Sequence, residues 1–366
     1  MYLKSLELKD FRNYESLSIE LDPGTNIIFG QNAQGKTNIL EAIYMSGVAK
    51  SHRASRDAEM IRFGCDEAHI RTKVMRTELL QTVDVHLKKN SKKGIAINRV
   101  PIRTSGELFG IVHLIFFSPE DLNIIKNAPK MRRRFMDLEL SQIDRIYLSD
   151  LNRYNKILEQ RRQLLKDLYY HPDLKDTLEV WDEQLVDYGT RIIRRRRRFV
   201  EELAPVIKDM HYHISGEKEQ LSIAYEASAS EEDFREKLWK AREKDERLAQ
   251  TTVGPHRDDI RFAIDDVEIR RFGSQGQQRT CALSLKLSEI HLVRTGVGDT
   301  PVLLLDDVLS ELDSTRQRYL LDSLNQTQTI MTCTGLDDFV RDRFSVNKVF
   351  EVIQGAVFEP AVPQAK

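Results

Sequence analysis

Eight residues near the N-terminus, Gly30 to Thr37, constrain most strongly what this chain can fold into. They read Gly-Gln-Asn-Ala-Gln-Gly-Lys-Thr, a complete G-x-x-x-x-G-K-[ST] phosphate loop. The apolar run 25–29 before the loop predicts a buried strand, and residues 38–44 after it predict a helix. A strand, a glycine-rich loop and a helix in this order present backbone N–H groups and the positive end of a helix to phosphate oxygens. The sequence therefore predicts a nucleoside triphosphate site; the alternative is a glycine turn that binds no ligand.

Two side chains of this loop carry chemistry of their own. The Lys36 ammonium is placed for the β- and γ-phosphates, and the Thr37 hydroxyl is placed to bind Mg²⁺. The predicted nucleotide contacts from this region comprise the loop and the residue after it: Gly30, Gln31, Asn32, Ala33, Gln34, Gly35, Lys36, Thr37 and Asn38.

A second segment, residues 301–307, is an apolar run that ends in two acids, Asp306 and Asp307. This pattern fits a buried parallel strand that delivers carboxylates to the edge of a sheet where nucleotides bind, and it resembles a Walker B strand. Asp306 is expected to hold Mg²⁺ together with Thr37, and Asp307 to orient or deprotonate the attacking water. A capped strand end is the alternative. The predicted cofactors are ATP and Mg²⁺, and the predicted catalytic residues are Lys36, Asp306 and Asp307.

Composition limits the class of protein further. The chain has 366 residues, of which 40% are hydrophobic, and a formal net charge of -1 at pH 7. No segment approaches the roughly 18 apolar residues of a membrane span, and the N-terminus lacks a signal-peptide core, so we expect a cytoplasmic protein without membrane partners. The three cysteines are scattered singly, which predicts buried thiols rather than disulfides or zinc.

Because the net charge is balanced, only local patches could bind nucleic acid. Two arginine-rich runs, 130–134 and 191–198, are the candidates. Five consecutive arginines surround a helix, so at least one of residues 194–198 is expected to pack on neighbours or pair with a carboxylate. The alternative for both runs is a solvated or ion-paired face. The DNA-contact candidates are Arg132, Arg133, Arg194, Arg195 and Arg197.

The periodicity of apolar residues predicts how the chain is organised. Alternating runs at the N-terminus and between residues 68 and 102 predict antiparallel strands, and residues 111–117 predict a buried strand. Apolar residues at helical spacing over 143–168 and 174–206 predict two long helices that pack as an antiparallel hairpin. We therefore predict a discontinuous α/β ATPase head, residues 1–119 plus 246–366, with residues 120–245 inserted as a helical arm.

Two further segments resemble parts of ABC-type ATPases. Residues 274–279, Ser-Gln-Gly-Gln-Gln-Arg, precede a predicted helix and resemble the signature motif, and residues 310–313, Ser-Glu-Leu-Asp, resemble the D-loop. A signature segment is a helix N-terminus with a glycine for close approach to an anion. Within one chain this helix N-terminus would have no anion to bind. It therefore implies a head-to-tail homodimer with two ATP molecules between the subunits.

The resemblance extends to one family. Seven blocks together resemble the RecF family of bacterial recombination and repair ATPases, which is related to Rad50 and SMC heads: 8–14, 30–37, 51–53, 132–137, 253–259, 273–279 and 304–313. The resemblance implies an ABC-type P-loop ATPase head with an antiparallel β subdomain and a short helical arm. It also implies ATP-dependent dimerisation on double-stranded DNA and single/double-strand junctions, and slow, DNA-dependent ATP hydrolysis.

The same resemblance implies a biological role and further site residues. It implies cooperation with RecR and RecO in loading RecA at gaps, replication recovery and SOS induction. Carried over by position, Arg12 and Asn13 would lie near the nucleotide; a charged strand-end turn explains these two nearly as well. Ser274, Gly276 and Gln277 would act on the nucleotide of the other subunit, and Asp313 would link the two sites.

Two residues depart from the wider ABC pattern, and three other classes of protein are alternatives. Asp307 stands where most such ATPases have glutamate, and residues 332–334, Thr-Cys-Thr, occupy the strand end where a switch histidine is often found. A transporter subunit is disfavoured by the long, arginine-rich insertion. A short SMC-like chromosome-structuring protein would need long runs of heptad repeats, which this sequence lacks. A GTPase would need an N-K-x-D motif, and residues 347–350 fail at the fourth position.

Overall fold

The computed structural model describes residues 1–324, 327–335 and 346–360. The chain divides into two compact units: Met1–Asp121 with Glu289–Lys366, and Leu122–Ser288. The sequence-based division placed the second boundary near residue 245, whereas the second unit continues to Ser288 and contains strands as well as helices. The exact extent of the predicted head therefore stays a prediction.

The elements are numbered in chain order. The strands are β1 Tyr2–Phe11, β2 Tyr14–Glu20, β3 Thr25–Phe29, β4 Glu67–Arg76, β5 Leu79–Lys88, β6 Gly94–Ile97, β7 Val100–Pro101, β8 Leu114–Phe117, β9 Leu221–Glu226, β10 Asp259–Ile264, β11 Val267–Glu268, β12 Val302–Asp306, β13 Thr329–Cys333, β14 Val346–Ile353 and β15 Ala356–Phe358. The helices are α1 Lys36–Val48, α2 Leu122–Lys126, α3 Pro129–Ile143, α4 Arg145–Asp167, α5 Leu178–Ile214, α6 Phe234–Lys240, α7 Arg242–Leu248, α8 Ile269–Phe272, α9 Gln275–Val297 and α10 Ser314–Ser323.

The first unit contains a mainly parallel sheet in the order β15-β14-β3-β13-β12-β8. Strands β14, β3, β13, β12 and β8 are parallel, and β15 adds an antiparallel edge. Strand β12 is apolar up to its terminal acid, and β3 carries Ile27, Ile28 and Phe29, as expected for strands that are buried on both faces. Because parallel strands share one carboxyl edge, the loop after β3 and the acids at the end of β12 are brought to the same edge of the sheet.

The first unit also contains an antiparallel sheet in the order β2-β1-β4-β5-β6-β7. It confirms the antiparallel strands that the alternating pattern predicts. Helix α1 contacts strands of both sheets and is buried continuously from Ile39 to Val48. A helix that is apolar on all sides is stable only when it is covered on all sides, which explains why α1 lies between the sheets. This position fixes the phosphate loop at the start of α1.

The second unit is built around the predicted helical hairpin. Contacts run in opposite directions along the two helices: Asp144, the N-cap of α4, pairs with Arg195, Arg153 with Tyr188, and Arg161, late in α4, with Asp182, early in α5. The two helices are therefore antiparallel, as predicted. The same unit contains a three-stranded sheet in the order β11-β10-β9. Helix α9 begins in this unit and ends in the first.

Candidate nucleotide-binding site

The phosphate loop needs glycine at two positions for different steric reasons. Gly30 has φ 150°, and a Cβ atom there would lie 2.4 Å from the carbonyl oxygen of Val352 in β14. Gly35 has φ 112°, and its Cβ would lie 2.5 Å from Nδ2 of Asn13. L-residues rarely adopt these φ angles, and neither position has room for a side chain. The glycines let the chain turn sharply between β3 and α1 while neighbouring strands approach the loop.

Lys36 lies at the first position of α1, and its side chain is directed back over the loop. Its ammonium donates hydrogen bonds to the carbonyl oxygens of Gly30, at 2.7 Å, and Gln31, at 2.8 Å. Burial lowers the pKa of Lys36, while the nearby carboxylates of Asp307 and Asp306 oppose that shift. The charge is thus held over the concave side of the loop, where the sequence predicts phosphate.

Thr37 and Asp306 come from opposite ends of the sequence and meet at the edge of the parallel sheet. The Thr37 hydroxyl donates to Oδ1 of Asp306 at 2.8 Å, and the Thr332 hydroxyl donates to the same oxygen at 2.8 Å. The backbone N–H of Asp307 in turn donates to the Thr332 hydroxyl at 3.0 Å. The end of β13 therefore links the two acids. Thr332, which the sequence suggested only as a replacement for a histidine, takes part directly in this arrangement.

These oxygens fit a magnesium ion. Mg²⁺ prefers oxygen ligands. The Thr37 hydroxyl oxygen and Oδ1 of the Asp306 carboxylate lie 2.8 Å from each other and offer two such ligands. Burial raises the pKa of Asp306 in spite of the hydrogen bonds from Thr332 and Thr37. A carboxylate that burial destabilises as an anion is stabilised by a cation, so the donor set and its electrostatics suit the ion that the sequence predicts.

Asn13 and Arg12 lie on the turn between β1 and β2 and differ in what they contact. Nδ2 of Asn13 donates to the carbonyl oxygen of Gln34 at 2.9 Å, and its Oδ1 accepts from Asn38 at 2.8 Å. Asn13 thus supports the phosphate loop directly. The Arg12 guanidinium instead forms two 2.8 Å hydrogen bonds with Glu41, one turn further along α1. The nucleotide contact that was predicted for Arg12 remains a prediction.

Glu41 is a buried carboxylate that the sequence did not single out. It is fully buried and accepts hydrogen bonds from Arg12, from Ser51 at 2.5 Å and from Arg53 at 3.2 Å. Burial opposes its ionisation, but the hydrogen bonds from Arg12 and Ser51 and the charges of Arg12 and Arg53 hold the pKa of Glu41 below its usual value. Arg53 also donates to Asn38 at 2.9 Å. Glu41 therefore ties the turn after β1 and the segment after α1 to the helix that carries the phosphate loop.

Replacing Glu41 by glutamine is expected to lower the free energy of unfolding by about 1–3 kcal/mol, since charge-assisted hydrogen bonds are lost from a buried site. The pKa of Glu41 is lower in the folded chain than the roughly 4.3 of an unfolded glutamate. The ionised Glu41 side chain therefore stabilises the folded chain fully above the unfolded pKa of roughly 4.3. This stabilisation is lost as pH falls through the lower, folded pKa. Urea unfolding at several pH values should show a smaller loss of stability below about pH 5 in Glu41→Gln than in the wild type.

The matched control for that measurement is Glu15→Gln. Glu15 also pairs with an arginine, Arg62, at 3.0 Å, but its side chain is 77% exposed. Exposed ion pairs contribute little to stability, so this variant should follow the wild type at every pH. Equal pH profiles for the two variants would contradict the role given to Glu41.

The signature-like segment forms the start of helix α9. The backbone N–H of Ser274 donates to Oε1 of Gln277 at 2.8 Å, and the N–H of Gln277 donates to the Ser274 hydroxyl at 3.2 Å, a reciprocal capping arrangement. Ser274 and Gly276 are exposed, and Gln277 also donates to Glu219 at 3.0 Å. The first turn of a 23-residue helix is therefore presented with its N–H end accessible.

The D-loop-like segment precedes helix α10, and the side chain of its Glu311 lies outside the described residues. Asp313 is the N-cap of α10: it accepts from the backbone N–H of Thr315 at 3.1 Å and of Arg316 at 3.0 Å. Oδ2 of Asp313 also pairs with the Arg316 guanidinium at 2.7 Å. Within one chain Asp313 thus acts as a helix cap, and its predicted link between two sites remains a prediction.

The arginine runs are extensively paired with carboxylates. Arg132 is only 2% exposed; it pairs with Asp259 and donates to the carbonyl oxygens of Ile124 and Asn127. Arg133 donates to the carbonyl oxygen of Asp258. These contacts give Arg132 a structural role, and the geometry lends no support to a DNA contact from its side chain.

In the second run Arg196 is also 2% exposed and pairs with Asp137. This confirms the prediction that at least one arginine of residues 194–198 packs on neighbours or pairs with a carboxylate. Arg195 pairs with Asp144, whereas Arg194 and Arg197 both face Glu231 at 2.6 and 3.7 Å. Arg194 is the most exposed of the predicted DNA contacts in this run, at 69%. Its long, exposed side chain can exchange a carboxylate partner for a phosphate.

Comparison with known proteins covers nearly the whole chain. Residues 2–354 match the family model described as the RecF/RecN/SMC N terminal domain. The chain is 62% identical to the DNA replication and repair protein RecF of Agathobacter rectalis, covering 98% of this chain and 99% of that protein. It is 44% identical to the protein of the same name from Clostridium botulinum, covering 92% and 94%.

Solved structures give the same picture. The chain is similar to the structure of the recombination mediator protein RecF-ATP in the RecFOR pathway, with TM-score 0.93, 36% identity and 98% of each chain covered. An Smc head domain from Pyrococcus furiosus shares the fold at TM-score 0.58 and 16% identity. The α/β head of the ABC type that the sequence predicts is thereby confirmed. No helix within the described ranges is long and apolar enough to cross a membrane.

Proposed function

This chain belongs to the RecF family, and from that premise we propose that it is an ATP-switched DNA-binding protein of recombinational repair and replication recovery. ATP binding drives head-to-tail dimerisation on DNA, and slow, DNA-dependent hydrolysis releases the dimer. Its relatives are named for DNA replication and repair, and a similar structure is described as a recombination mediator bound to ATP. The proposal concerns how this chain's own residues perform such a cycle.

The observation that carries the proposal is the contact between Thr37 and Asp306. A threonine hydroxyl from the phosphate loop and a carboxylate from β12 meet at 2.8 Å, although 269 positions separate them in the chain. Structural packing alone does not require a hydroxyl, a buried carboxylate and the Lys36 ammonium at one sheet edge. A triphosphate with its magnesium ion requires all three.

Each residue has a distinct task in this site. The backbone N–H groups of the loop and the Lys36 ammonium bind phosphate oxygens, and Thr37 with Asp306 holds the magnesium ion. The ion, when bound, neutralises charge on the phosphates. Asp307 orients the attacking water and accepts its proton. Its carboxylate reaches one methylene less far than the glutamate common at this position, which supports slow turnover and a long-lived bound state.

The second subunit completes the site. We assign Ser274, Gly276 and Gln277 to the triphosphate held by the partner, because an exposed helix N-terminus with a glycine in its first turn is suited to bind an anion. The reciprocal cap between Ser274 and Gln277 pre-forms this turn. The triphosphate then lies between two copies of the chain, which makes dimerisation depend on ATP.

Replacing Ser274 by arginine is expected to weaken ATP-induced dimerisation about tenfold or more, because a long side chain occupies the approach to the phosphate. ATP affinity of the monomer should not change. Sedimentation velocity with and without ATP measures the dimer, and a fluorescent ATP analogue measures binding.

The control for this variant is Ser274→Ala, because Ser274 also caps α9. Loss of the cap costs about 1 kcal/mol and is shared by both variants, whereas the bulk is specific to arginine. Dimerisation that is equally weak in the two variants would mean that loss of the serine hydroxyl, as a cap or as a phosphate contact, is responsible and not the bulk of arginine. An arginine variant that dimerises normally would remove the proposed role in the partner's site.

For DNA, we propose that Arg194 and Arg197 contribute phosphate contacts. Arg194→Gln with Arg197→Gln is expected to lower DNA affinity and to flatten the dependence of log affinity on log salt by roughly one unit per lost contact. Arg198→Gln is the matched control, since Arg198 is 73% exposed and belongs to the same run, but pairs with Glu202 of its own helix and is not one of the two proposed contacts. If the slope of log affinity against log salt concentration is identical in the double variant and the wild type, these two arginines do not contact DNA phosphates.

The overall proposal is tested by sedimentation in ATP, in ADP and without nucleotide, each with and without duplex DNA or a single/double-strand junction. A dimer that forms with ATP and is stabilised by DNA is expected. A monomer in all six conditions would contradict the cycle. Pull-down with RecR, alone and with RecO, tests the proposed cooperation in RecA loading and SOS induction.

A further inference from the structure

Three potential metal ligands share the outer face of the antiparallel sheet, away from the nucleotide site. Glu67 and His69 are two residues apart on β4, and His86 on β5 is the direct cross-strand partner of His69. Side chains two apart on a strand project from the same face, and directly paired residues lie side by side. The backbone therefore fixes the positions of all three side chains.

The side chains converge as well as share a face. The two imidazole rings stack with centroids 3.9 Å apart and planes 22° apart. Both Nε2 atoms approach one carboxylate: His86 lies 2.8 Å from Oε2 of Glu67, and His69 lies 4.0 Å from Oε1. One ligand atom from each of the three residues lies within 4.8 Å of the others. All three side chains are partly exposed, so an ion can reach them from solvent.

The local electrostatics favour the neutral form of His69. Burial and the neighbouring His86 lower the pKa of His69, against the pull of Glu67. Lys9 and Lys88 pair across from His69 and Glu67 and oppose a cation, but both are exposed. On the other side of His86 the paired residue is Gly94, which places no side chain beside the ring.

We propose that Glu67, His69 and His86 bind a divalent transition-metal ion of the zinc class. Zinc binds imidazole nitrogen and carboxylate oxygen at about 2.0–2.2 Å, which places tetrahedral ligand atoms roughly 3.4 Å apart. The two imidazole-to-carboxylate separations of 2.8 and 4.0 Å bracket that value, and the stacked rings must also rotate out of parallel so that each nitrogen lone pair points at the ion. Water supplies the remaining ligand. The ion joins β4 to β5 and is independent of the ATP site.

The test is a titration of the full-length chain, free of any histidine tag and of nucleotide, with ZnCl₂ by calorimetry and with Co²⁺ by visible absorption. We expect one ion per chain and a Co²⁺ spectrum of low coordination number. His69→Gln and His86→Gln should each lower the affinity about tenfold or more.

His213→Gln is the matched control. His213 is 46% exposed and lies 3.6 Å from Asp209, so it is also a histidine beside a carboxylate, but it is absent from the three-ligand cluster. Zinc affinity should be the same in this variant as in the wild type. Retained binding in both His69→Gln and His86→Gln, or an absence of binding up to millimolar Zn²⁺, would overturn the proposal and would leave His86 and Glu67 as a surface ion pair. Neither result bears on ATP binding.

Discussion

Replacing Lys36 by alanine is expected to lower ATP affinity by about 100-fold or more. The Lys36 ammonium is held over the loop by the carbonyl oxygens of Gly30 and Gln31, and nothing else in the loop carries a positive charge. Two charge-assisted hydrogen bonds to phosphate, at about 1.5–3 kcal/mol each, account for a loss of this size. Equilibrium titration with a fluorescent ATP analogue measures it, and ATP-induced dimerisation should disappear in parallel.

Lys50→Ala serves as the control, because Lys50 is an exposed lysine just beyond the end of the same helix. It should bind ATP as the wild type does. Since the Lys36 side chain is buried, circular dichroism and thermal unfolding are needed to show that Lys36→Ala is folded. A folded Lys36→Ala protein with wild-type affinity would eliminate the proposed phosphate site.

Replacing Asp307 by asparagine is expected to slow ATP hydrolysis by about 100–1,000-fold while leaving ATP binding intact. Asparagine cannot accept the proton of the attacking water, but it has nearly the shape of aspartate. The backbone of Asp307 has φ 52°, a left-handed conformation that asparagine tolerates well, and its N–H bond to Thr332 does not involve the side chain. The loss should therefore fall on turnover alone.

Under the proposed cycle, in which hydrolysis releases the dimer, Asp307→Asn should accumulate as a dimer in ATP. Sedimentation after overnight incubation with ATP distinguishes it from the wild type, which should return to monomer as ATP is consumed. Adding Lys36→Ala to the same chain provides the control, since a dimer that needs ATP must then be lost. If Asp307→Asn stays monomeric in ATP, or turns over at the wild-type rate, Asp307 does not have the role assigned to it.

The parts of the candidate site that the sequence predicts are those encoded by short, continuous segments. The strand, loop and helix around Gly30–Thr37 form a local unit, and the predicted strand over residues 25–29 has the bounds of β3. The acids at 306 and 307 are equally local, because an apolar run with a polar end is a property of one strand. Parallel strand geometry then brings the two segments together without any further information.

The sequence could not reveal residues whose roles depend on distant neighbours. Glu41 resembles an ordinary polar position of an amphipathic helix until Arg12, Ser51 and Arg53 surround it. Thr332 lacks any motif, and its contact with Asp306 exists only because β13 lies next to β12. The arginine runs show the converse: sequence gives their charge, but only the structure gives the carboxylates that neutralise it.

The strand order of the parallel sheet has a consequence for how the protein is made. Strand β3 pairs with β13 and β14, so its first hydrogen-bonded neighbour lies about 300 residues further along the chain. At roughly 5–20 residues per second, a ribosome needs about 15–60 s to synthesise that neighbour. During this interval the apolar residues Ile27 and Ile28, fully buried in the finished sheet, have no pairing partner. We therefore expect β3 to need protection until β13 has been synthesised, and translation products truncated before β13 to aggregate.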